Sequence, residues 1–134
     1  MSRISDYFGE LKEKYGDMVA LKKSNYDEKF LSQVPEALRE FYDEYSEAEL
    51  PFGSIYTIDN SIIDSEAEPF QSEGWFAFGF DGYFSFWLCS YEPDEEGLSF
   101  TIWDHDSGAE IDGAIYADII ELLEDIQEEY EGNL

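Results

Sequence analysis

The sequence is densest in aromatic residues over the run Gly74-Trp75-Phe76-Ala77-Phe78-Gly79-Phe80-Asp81-Gly82-Tyr83-Phe84-Ser85-Phe86-Trp87-Leu88-Cys89-Ser90-Tyr91. Aromatic residues at this density favour strands over helices. Asp81-Gly82 separates two apolar runs and predicts a two-residue type I′ turn, because that turn needs positive φ at both central positions. We therefore expect a β-hairpin at the centre of a sheet, with residues 98–103 as the next strand.

The predicted turn also sets the pairing of the two strands. One face would pair Phe80 with Tyr83, Phe78 with Ser85 and Phe76 with Trp87. The other face would pair Gly79 with Phe84, Ala77 with Phe86 and Trp75 with Leu88. Small residues lie opposite large ones on this second face, which suits packing beneath another layer.

The composition is that of a globular chain. Its 134 residues fit one domain, and 43% hydrophobic and 18% aromatic residues suffice for a core, unlike a disordered acidic tail. No run of about 18 apolar residues predicts a membrane span, and the N-terminus lacks signal-peptide features. Cys89 is the single cysteine, so it cannot form an internal disulfide. We expect a single cytoplasmic domain, residues 1–134, with no membrane partner and no cofactor.

Charge is distributed unevenly along the chain. Its 33 acids and seven Lys and Arg give a formal net charge of −26. All seven bases precede residue 40 and share that segment with seven acids, so residues 40–134 carry the whole −26. Such a field repels nucleic acid and attracts basic partners, whereas the simpler alternative is a solvated surface. The lack of any compensating base in so long a segment favours a basic partner.

Helical spacing of apolar residues appears in three segments. The first contains Ile4, Phe8, Leu11 and Tyr15 and ends at Gly16-Asp17. The second begins at Val34-Pro35, continues through Leu38, Phe41, Tyr42 and Tyr45, and stops by Leu50-Pro51. The third begins with the capping box Asp118 and Glu121 and continues through Ile119, Leu122, Leu123, Ile126 and Tyr130 to Gly132.

The remaining segments complete the predicted order. Val19 and Leu21 suggest a short extended piece, and residues 26–31 a helical turn. Residues 52–58 predict a strand that residues 59–61 interrupt, residues 62–71 a loop or short helical turn, and residues 109–115 a short edge strand. Strands flanked by helices indicate an α+β fold, an antiparallel meander sheet covered by N-terminal and C-terminal helices.

Three segments together resemble the SUKH superfamily, the domain of the fungal Smi/Knr cell-wall-assembly regulators and of many bacterial immunity proteins. The segments are Val34-Pro35-Glu36-Ala37-Leu38-Arg39-Glu40-Phe41-Tyr42, Phe78-Gly79-Phe80-Asp81-Gly82, and Ile102-Trp103-Asp104-His105 with the helix that starts at Asp118. The resemblance covers most of residues 30–130. Tyr45-Ser46-Glu47-Ala48-Glu49 stands where the family usually has Asn-Gly, and Cys89-Ser90 where an acid is common.

The resemblance implies a SUKH-like, non-enzymatic binding domain, most often a toxin-neutralising one in bacteria. It supplies no catalytic residues. Independently, no phosphate-binding glycine loop is present, and one His with one Cys is too few for a structural zinc site. Cys89 lies in an apolar strand and suits a structural role better than a nucleophilic one.

The segment Asp104-His105-Asp106-Ser107-Gly108, with Glu110 and Asp112, resembles the start of a calcium loop. It lacks an acid at the fifth position, and Ile115 stands where the closing Glu would be. A turn rich in turn-forming residues explains the segment better, so we predict no metal site, although an enzyme or metal-dependent module built on this loop stays an alternative.

We expect an immunity protein that binds a basic toxin domain, a nuclease fitting best because acids can occupy the positions of phosphates. The alternative is a regulatory scaffold of the Smi/Knr type. Loops at strand ends present side chains to partners, so the predicted toxin-binding acids are Glu92, Asp94, Glu95, Glu96, Asp104, Asp106, Glu110 and Asp112. The aromatic residues of the hairpin should lie mostly in the core, and those left outside would add an interface patch. The oligomeric state stays open.

Overall fold

The computed structural model describes residues 2–104, 111 and 113–133. Within these residues the α-helices are α1 Arg3–Tyr15, α2 Glu28–Leu31, α3 Arg39–Tyr42, α4 Ile58–Ser65, α5 Phe70–Glu73 and α6 Ile119–Gly132. The strands are β1 Ala20–Lys23, β2 Tyr45–Leu50, β3 Gly53–Ile55, β4 Trp75–Phe80, β5 Ser85–Ser90 and β6 Phe100–Asp104. Short 3-10 turns at Gly16–Met18 and Glu36–Leu38 follow α1 and precede α3.

The six described strands form one antiparallel sheet in the order of the chain, β1 to β6. The predicted α+β class, the meander and the helices at both ends are therefore confirmed. The extended piece near Leu21 is β1, and the turn near residues 26–31 is α2. The edge strand predicted for residues 109–115 is not seen at residues 111 and 113–115, the part of that span that the structure describes; the neighbouring Tyr116 forms an isolated bridge with Phe100.

The predicted hairpin exists, but its two-residue turn is wrong. Asp81 N–H donates to Ser85 O (3.0 Å), and Asp81 Oδ1 accepts the N–H groups of Tyr83, Phe84 and Ser85 at 2.8–3.1 Å. A side chain that caps three amides stabilises a wider turn. Phe80 therefore pairs with Phe86, and a bulge between Ala77 and Gly79 shifts the register once more.

The second predicted helix is too long. Its helical part ends at Tyr42, and Tyr45–Leu50 form β2 between β1 and β3. Tyr45 continues the helical spacing, yet Ala48 and Leu50 are buried while Glu49 is exposed, which is the alternation of a strand. Pairing with two neighbouring strands outweighs a local helical pattern.

Residues 52–71 also differ from the prediction. The strand is only β3, and helix α4 begins at Ile58 because Thr57 Oγ1 caps it by accepting the Asn60 N–H (3.3 Å). Helix α4 lies along the edge of β4 beyond the end of β3. There Ser65 Oγ accepts the Ala77 N–H (2.8 Å) and donates to Ser61 O (2.6 Å), so a side chain replaces the missing strand partner.

Helices α1, α3 and α6 cover one face of the sheet. They bury Phe8, Phe41 and Leu122 against strand residues that include Phe78 and Trp87. Helices α1 and α6 run side by side in the same direction, because Arg3 contacts Asp118 near their starts and Lys14 contacts Glu131 near their ends. The N-cap of α6 is confirmed, since Asp118 Oδ1 accepts the Glu121 N–H (3.0 Å).

The opposite face of the sheet carries a smaller apolar cluster, consisting of Phe70, Trp75, Ala77 and Leu88 with Phe86, Trp103, Ile111 and Ala114 packed against it. Phe70 of α5 meets Trp103 edge to face at 5.4 Å between ring centroids. Most aromatic residues of the hairpin are thus in the core, as predicted. Phe84 is about half exposed, at 51%.

Candidate protein-interaction surface

The acids predicted on the loop between β5 and β6 are exposed, but they do not share one role. Asp94 Oδ1 accepts the N–H groups of Glu96 and Leu98, both at 2.9 Å, and Asp94 O accepts the Gly97 N–H (3.0 Å). Asp94 therefore holds the loop in shape. Glu92, Glu95 and Glu96 of the same loop are also exposed.

The other described acid, Asp104, lies at the opposite end of the sheet. It pairs with Ser85 beside the β4–β5 turn, whereas the acidic loop follows Ser90 at the far end of β5. Five residues of β6 span roughly 14 Å, at about 3.4 Å per residue. The predicted acids therefore form two groups, and Asp106, Glu110 and Asp112 lie outside the described residues.

A groove of about 360 Å³ adjoins the acidic loop, and we call it the α5 groove. Its lining includes Gln33, Glu66, Phe70, Trp75, Phe76 and Tyr91. Tyr91 is half exposed and meets Phe76 edge to face at 6.2 Å. Aromatic residues beside acids have the composition of an interface to a basic protein. The sequence did not predict this groove, because residues 52–58 were predicted as a strand and residues 62–71 only as a loop or short helical turn, whereas α4 and α5 line the groove.

A second groove of about 400 Å³ lies at the other end of the sheet, between the strand turns and the last turns of α6. We call it the α6 groove. Its lining includes Phe52, Asp81, Tyr83, Trp87, Glu129 and Tyr130. Tyr83 is 78% exposed, whereas Trp87 is buried and forms the base of the groove.

Two glycines make room for the Trp87 indole. A Cβ on Gly79 would lie 2.5 Å from Trp87 Cε3 and 2.7 Å from Ser54 O, and a Cβ on Gly53 would meet the same ring. Phe52 lies 6.5 Å from Trp87 and 6.0 Å from Tyr130 between ring centroids. The indole is thus held against the backbone of β3 and β4, in contact with further aromatic rings.

Most bases of the chain have local partners. Arg3 pairs with Glu40 (2.6 Å) and Asp118 (3.1 Å), and Lys14 pairs with Glu131 (2.6 Å). Three further cations interact with atoms of the described residues: Arg39 with Glu28, Lys22 with Glu47 at 3.8 Å, and Lys12 with the Val19 carbonyl at 2.7 Å. None of these contacts involves Glu92, Glu95 or Glu96 of the acidic loop.

The reactive side chains are few. Burial raises the pKa of the Cys89 thiol, so the thiol stays protonated at neutral pH and is a poor nucleophile. His105 lies outside the described residues. Among the described residues, no group of three His, Cys, Asp or Glu side chains is arranged to hold a metal ion. No helix in the described ranges is long and apolar enough to cross a membrane.

Comparison with known proteins finds no matching family model, no matching curated protein and no matching solved structure. The resemblance to the SUKH superfamily therefore remains a prediction from residues 30–130.

Proposed function

We propose that this protein is a cytoplasmic, SUKH-like immunity protein that binds a basic toxin domain and neutralises it without catalysis. One observation carries the proposal: residues 40–134 hold 26 acids and neither Lys nor Arg. A charge this far from zero destabilises the compact state through self-repulsion. A basic partner would relieve that repulsion, which gives the composition a physical purpose.

The acidic loop and the α5 groove support the same proposal. Glu92, Glu95 and Glu96 project beside a groove with aromatic walls. In protein complexes, surface charges mainly speed encounter, while buried aromatic contacts slow dissociation. The two features lie next to each other here, so a basic domain drawn to the loop would meet the aromatic contacts at once.

The mode of neutralisation follows from the charges. A toxin domain that cleaves nucleic acid has a basic surface for phosphates. Carboxylates of this protein would occupy the positions of those phosphates and exclude the substrate. We expect the target to be such a nuclease domain.

The proposal is tested by affinity capture from the native host with the tagged protein, at low and then at moderate salt. We expect one basic toxin domain to survive the salt step. Its expression alone should stop growth of a host cell, and co-expression of this protein should restore growth. Co-expression of a variant with Glu92, Glu95 and Glu96 changed to Gln should restore growth less well.

A different outcome would contradict the proposal. If moderate salt removes every retained protein, or if the retained protein is not toxic, immunity is wrong. A single non-toxic cellular partner would favour the regulatory scaffold instead.

A further inference from the structure

The α6 groove has the walls of a cation site. Phe52, Trp87 and Tyr130 form a contiguous set of rings at its base, and Tyr83 stands exposed at its edge. The faces of aromatic rings carry negative potential and attract cations, Arg more often than Lys. A volume of about 400 Å³ falls within the range of small-ligand sites.

Carboxylates complete the groove. Asp81 is held in place because its Oδ1 accepts three backbone N–H groups, and Oδ2 receives no hydrogen bond from the described residues. Glu129 lies across the groove on α6 and is exposed. No described lysine or arginine lines the groove. Two carboxylates, of which Asp81 is fixed by its hydrogen bonds, therefore line the groove beside its aromatic rings without a cation from the described chain.

The end of helix α6 adds to the negative electrostatic potential of the groove through its backbone dipole. The C-terminal end of a helix carries partial negative charge and favours nearby cations. The last turn of α6 contains no base and instead contains Glu128, Glu129 and Glu131. Of these, Glu131 is paired with Lys14. The acids beside the groove thus add negative charge to the negative end of the helix dipole. Their repulsion destabilises the end of α6, and a bound cation would relieve it.

We propose that the α6 groove binds one arginine side chain of a basic protein, with the guanidinium stacked on the accessible rings of Tyr83 and Tyr130 and donating to Glu129. Arginine fits better than lysine because its planar group stacks on rings and bonds a carboxylate with two parallel N–H groups. Only the source of the side chain, a basic protein partner, rests on the proposed function. The groove would be a second contact, at the end of the sheet opposite the acidic loop.

The test is a nuclear magnetic resonance titration of the whole chain with three capped tripeptides, Gly-Arg-Gly, Gly-Lys-Gly and Gly-citrulline-Gly, at equal ionic strength. The arginine peptide should shift the backbone amides of Tyr83, Glu129 and Asn133 in a saturable way, with a dissociation constant in the millimolar range. We expect the lysine peptide to bind roughly threefold more weakly and the neutral citrulline peptide to cause no saturable shift. Equal binding of the citrulline peptide would overturn a cation site, and equal or tighter lysine binding would overturn the choice of arginine.

Two pairs of variants locate the site. Tyr83→Leu and Glu129→Gln alter exposed groove residues, and each should weaken arginine-peptide binding roughly threefold to fivefold. Asp6→Asn and Glu36→Gln remove exposed charges outside both grooves and the acidic loop, and they should leave binding unchanged. If the second pair weakens binding as much as the first, the peptide responds to the general charge and the groove is not its site.

This titration needs no toxin, so its result is independent of the capture experiment. If the titration shows no arginine binding, the proposed arginine site is contradicted and the proposed immunity function is unaffected. If the capture experiment finds no toxin but the titration shows arginine binding, the arginine site is supported and the arginine does not come from a toxin.

Discussion

At the scale of single residues, the position of Trp87 explains two glycines that the sequence places in or beside strands. Glycine weakens a strand unless a close approach requires it. Here the indole lies where a Cβ of Gly53 or Gly79 would be. The two glycines are therefore part of the packing of the core tryptophan and of the base of the α6 groove.

We predict that Gly79→Ala destabilises the protein by about 1–3 kcal/mol, because the new methyl group would overlap the Trp87 ring and Ser54 O. Gly9→Ala is the matched control. It adds the same methyl group within helix α1, where no atom lies within 4 Å, and it should stabilise by about 0.5–1 kcal/mol. Urea unfolding measures both changes, and a neutral Gly79→Ala variant would contradict the tight contact.

Glu131, near the end of α6, is held by side chains of α1 and α6. Hydrogen bonds donated by Lys14, Tyr15 and Gln127 lower the pKa of its carboxyl to about 2. A carboxyl with a lowered folded pKa contributes stability above its unfolded pKa, about 4.5, and that contribution is lost as the pH falls toward 2. Glu131→Gln should therefore destabilise the protein at pH 7.

The difference in unfolding free energy between Glu131→Gln and the unchanged chain should shrink between about pH 4.5 and pH 2. Glu128→Gln, an exposed neighbour, controls for the loss of one negative charge. Urea midpoints measured across this pH range check the prediction. A difference independent of pH would mean that the carboxylate contacts at Glu131 do not form in solution.

At the scale of elements, helix α4 substitutes for a strand along part of β4. The N–H of Ala77 lies in the interior and has Ser65 Oγ as its partner. A buried amide that loses its partner costs more than the bond itself contributes. The edge of the central strand thus depends on one hydroxyl group.

Ser65→Ala should destabilise the protein by about 1–3 kcal/mol and speed hydrogen exchange at the Ala77 amide. Ser72→Ala removes an exposed hydroxyl that makes one weak bond, 3.4 Å to Pro69 O, and should change stability by less than about 0.5 kcal/mol. Unchanged exchange at Ala77 in the Ser65 variant would show that the helix does not protect this edge.

Elements with a strong local signal were predictable, and those defined by distant partners were not. Helix α6 carries its own cap at Asp118, and α1 ends at Gly16, so both could be located from the sequence. Strand β2 continues the apolar spacing of the preceding helix, and only its pairing with β1 and β3 decides its structure. The hairpin register depended on the Asp81 side chain, which a dipeptide rule does not include.

The same distinction holds for the candidate surface. The exposed acids of the β5–β6 loop follow from composition and turn signals. The two grooves do not, because each combines residues far apart in the chain, such as Gln33 with Tyr91 or Asp81 with Glu129. The structural role of Asp94 also needed the geometry of its two backbone bonds.

At the scale of the whole molecule, the net charge of −26 dominates. At 0.1 M, salt largely screens the repulsion between exposed charges that are more than about 10 Å apart. Raising NaCl from about 10 mM to about 0.3 M should therefore raise the melting temperature. A lower melting temperature at high salt would mean that ion pairs such as Arg3–Glu40 contribute more than the self-repulsion costs.

Asp94 holds the loop in shape, so a variant designed to change only the charge of the loop should keep Asp94. Glu92→Gln, Glu95→Gln and Glu96→Gln together remove three charges from the acidic loop. Glu10→Gln, Glu13→Gln and Asp17→Asn together remove three from the balanced N-terminal segment. We expect the first triple variant to lower the association rate constant for the basic partner and its salt dependence more than the second does. Equal effects would mean that the association rate depends on the total charge of the protein and not on the acidic loop.

If the acidic surface attracts a basic domain, the association rate constant must depend on ionic strength, so this dependence is the measurement to make first. With the basic domain retained in the capture experiment, we predict about 10⁸ M⁻¹s⁻¹ or more at low salt, falling steeply as salt is added. A rate constant near 10⁵–10⁶ M⁻¹s⁻¹ that does not change with salt is typical of a neutral pair and would show that the acids do not attract the partner.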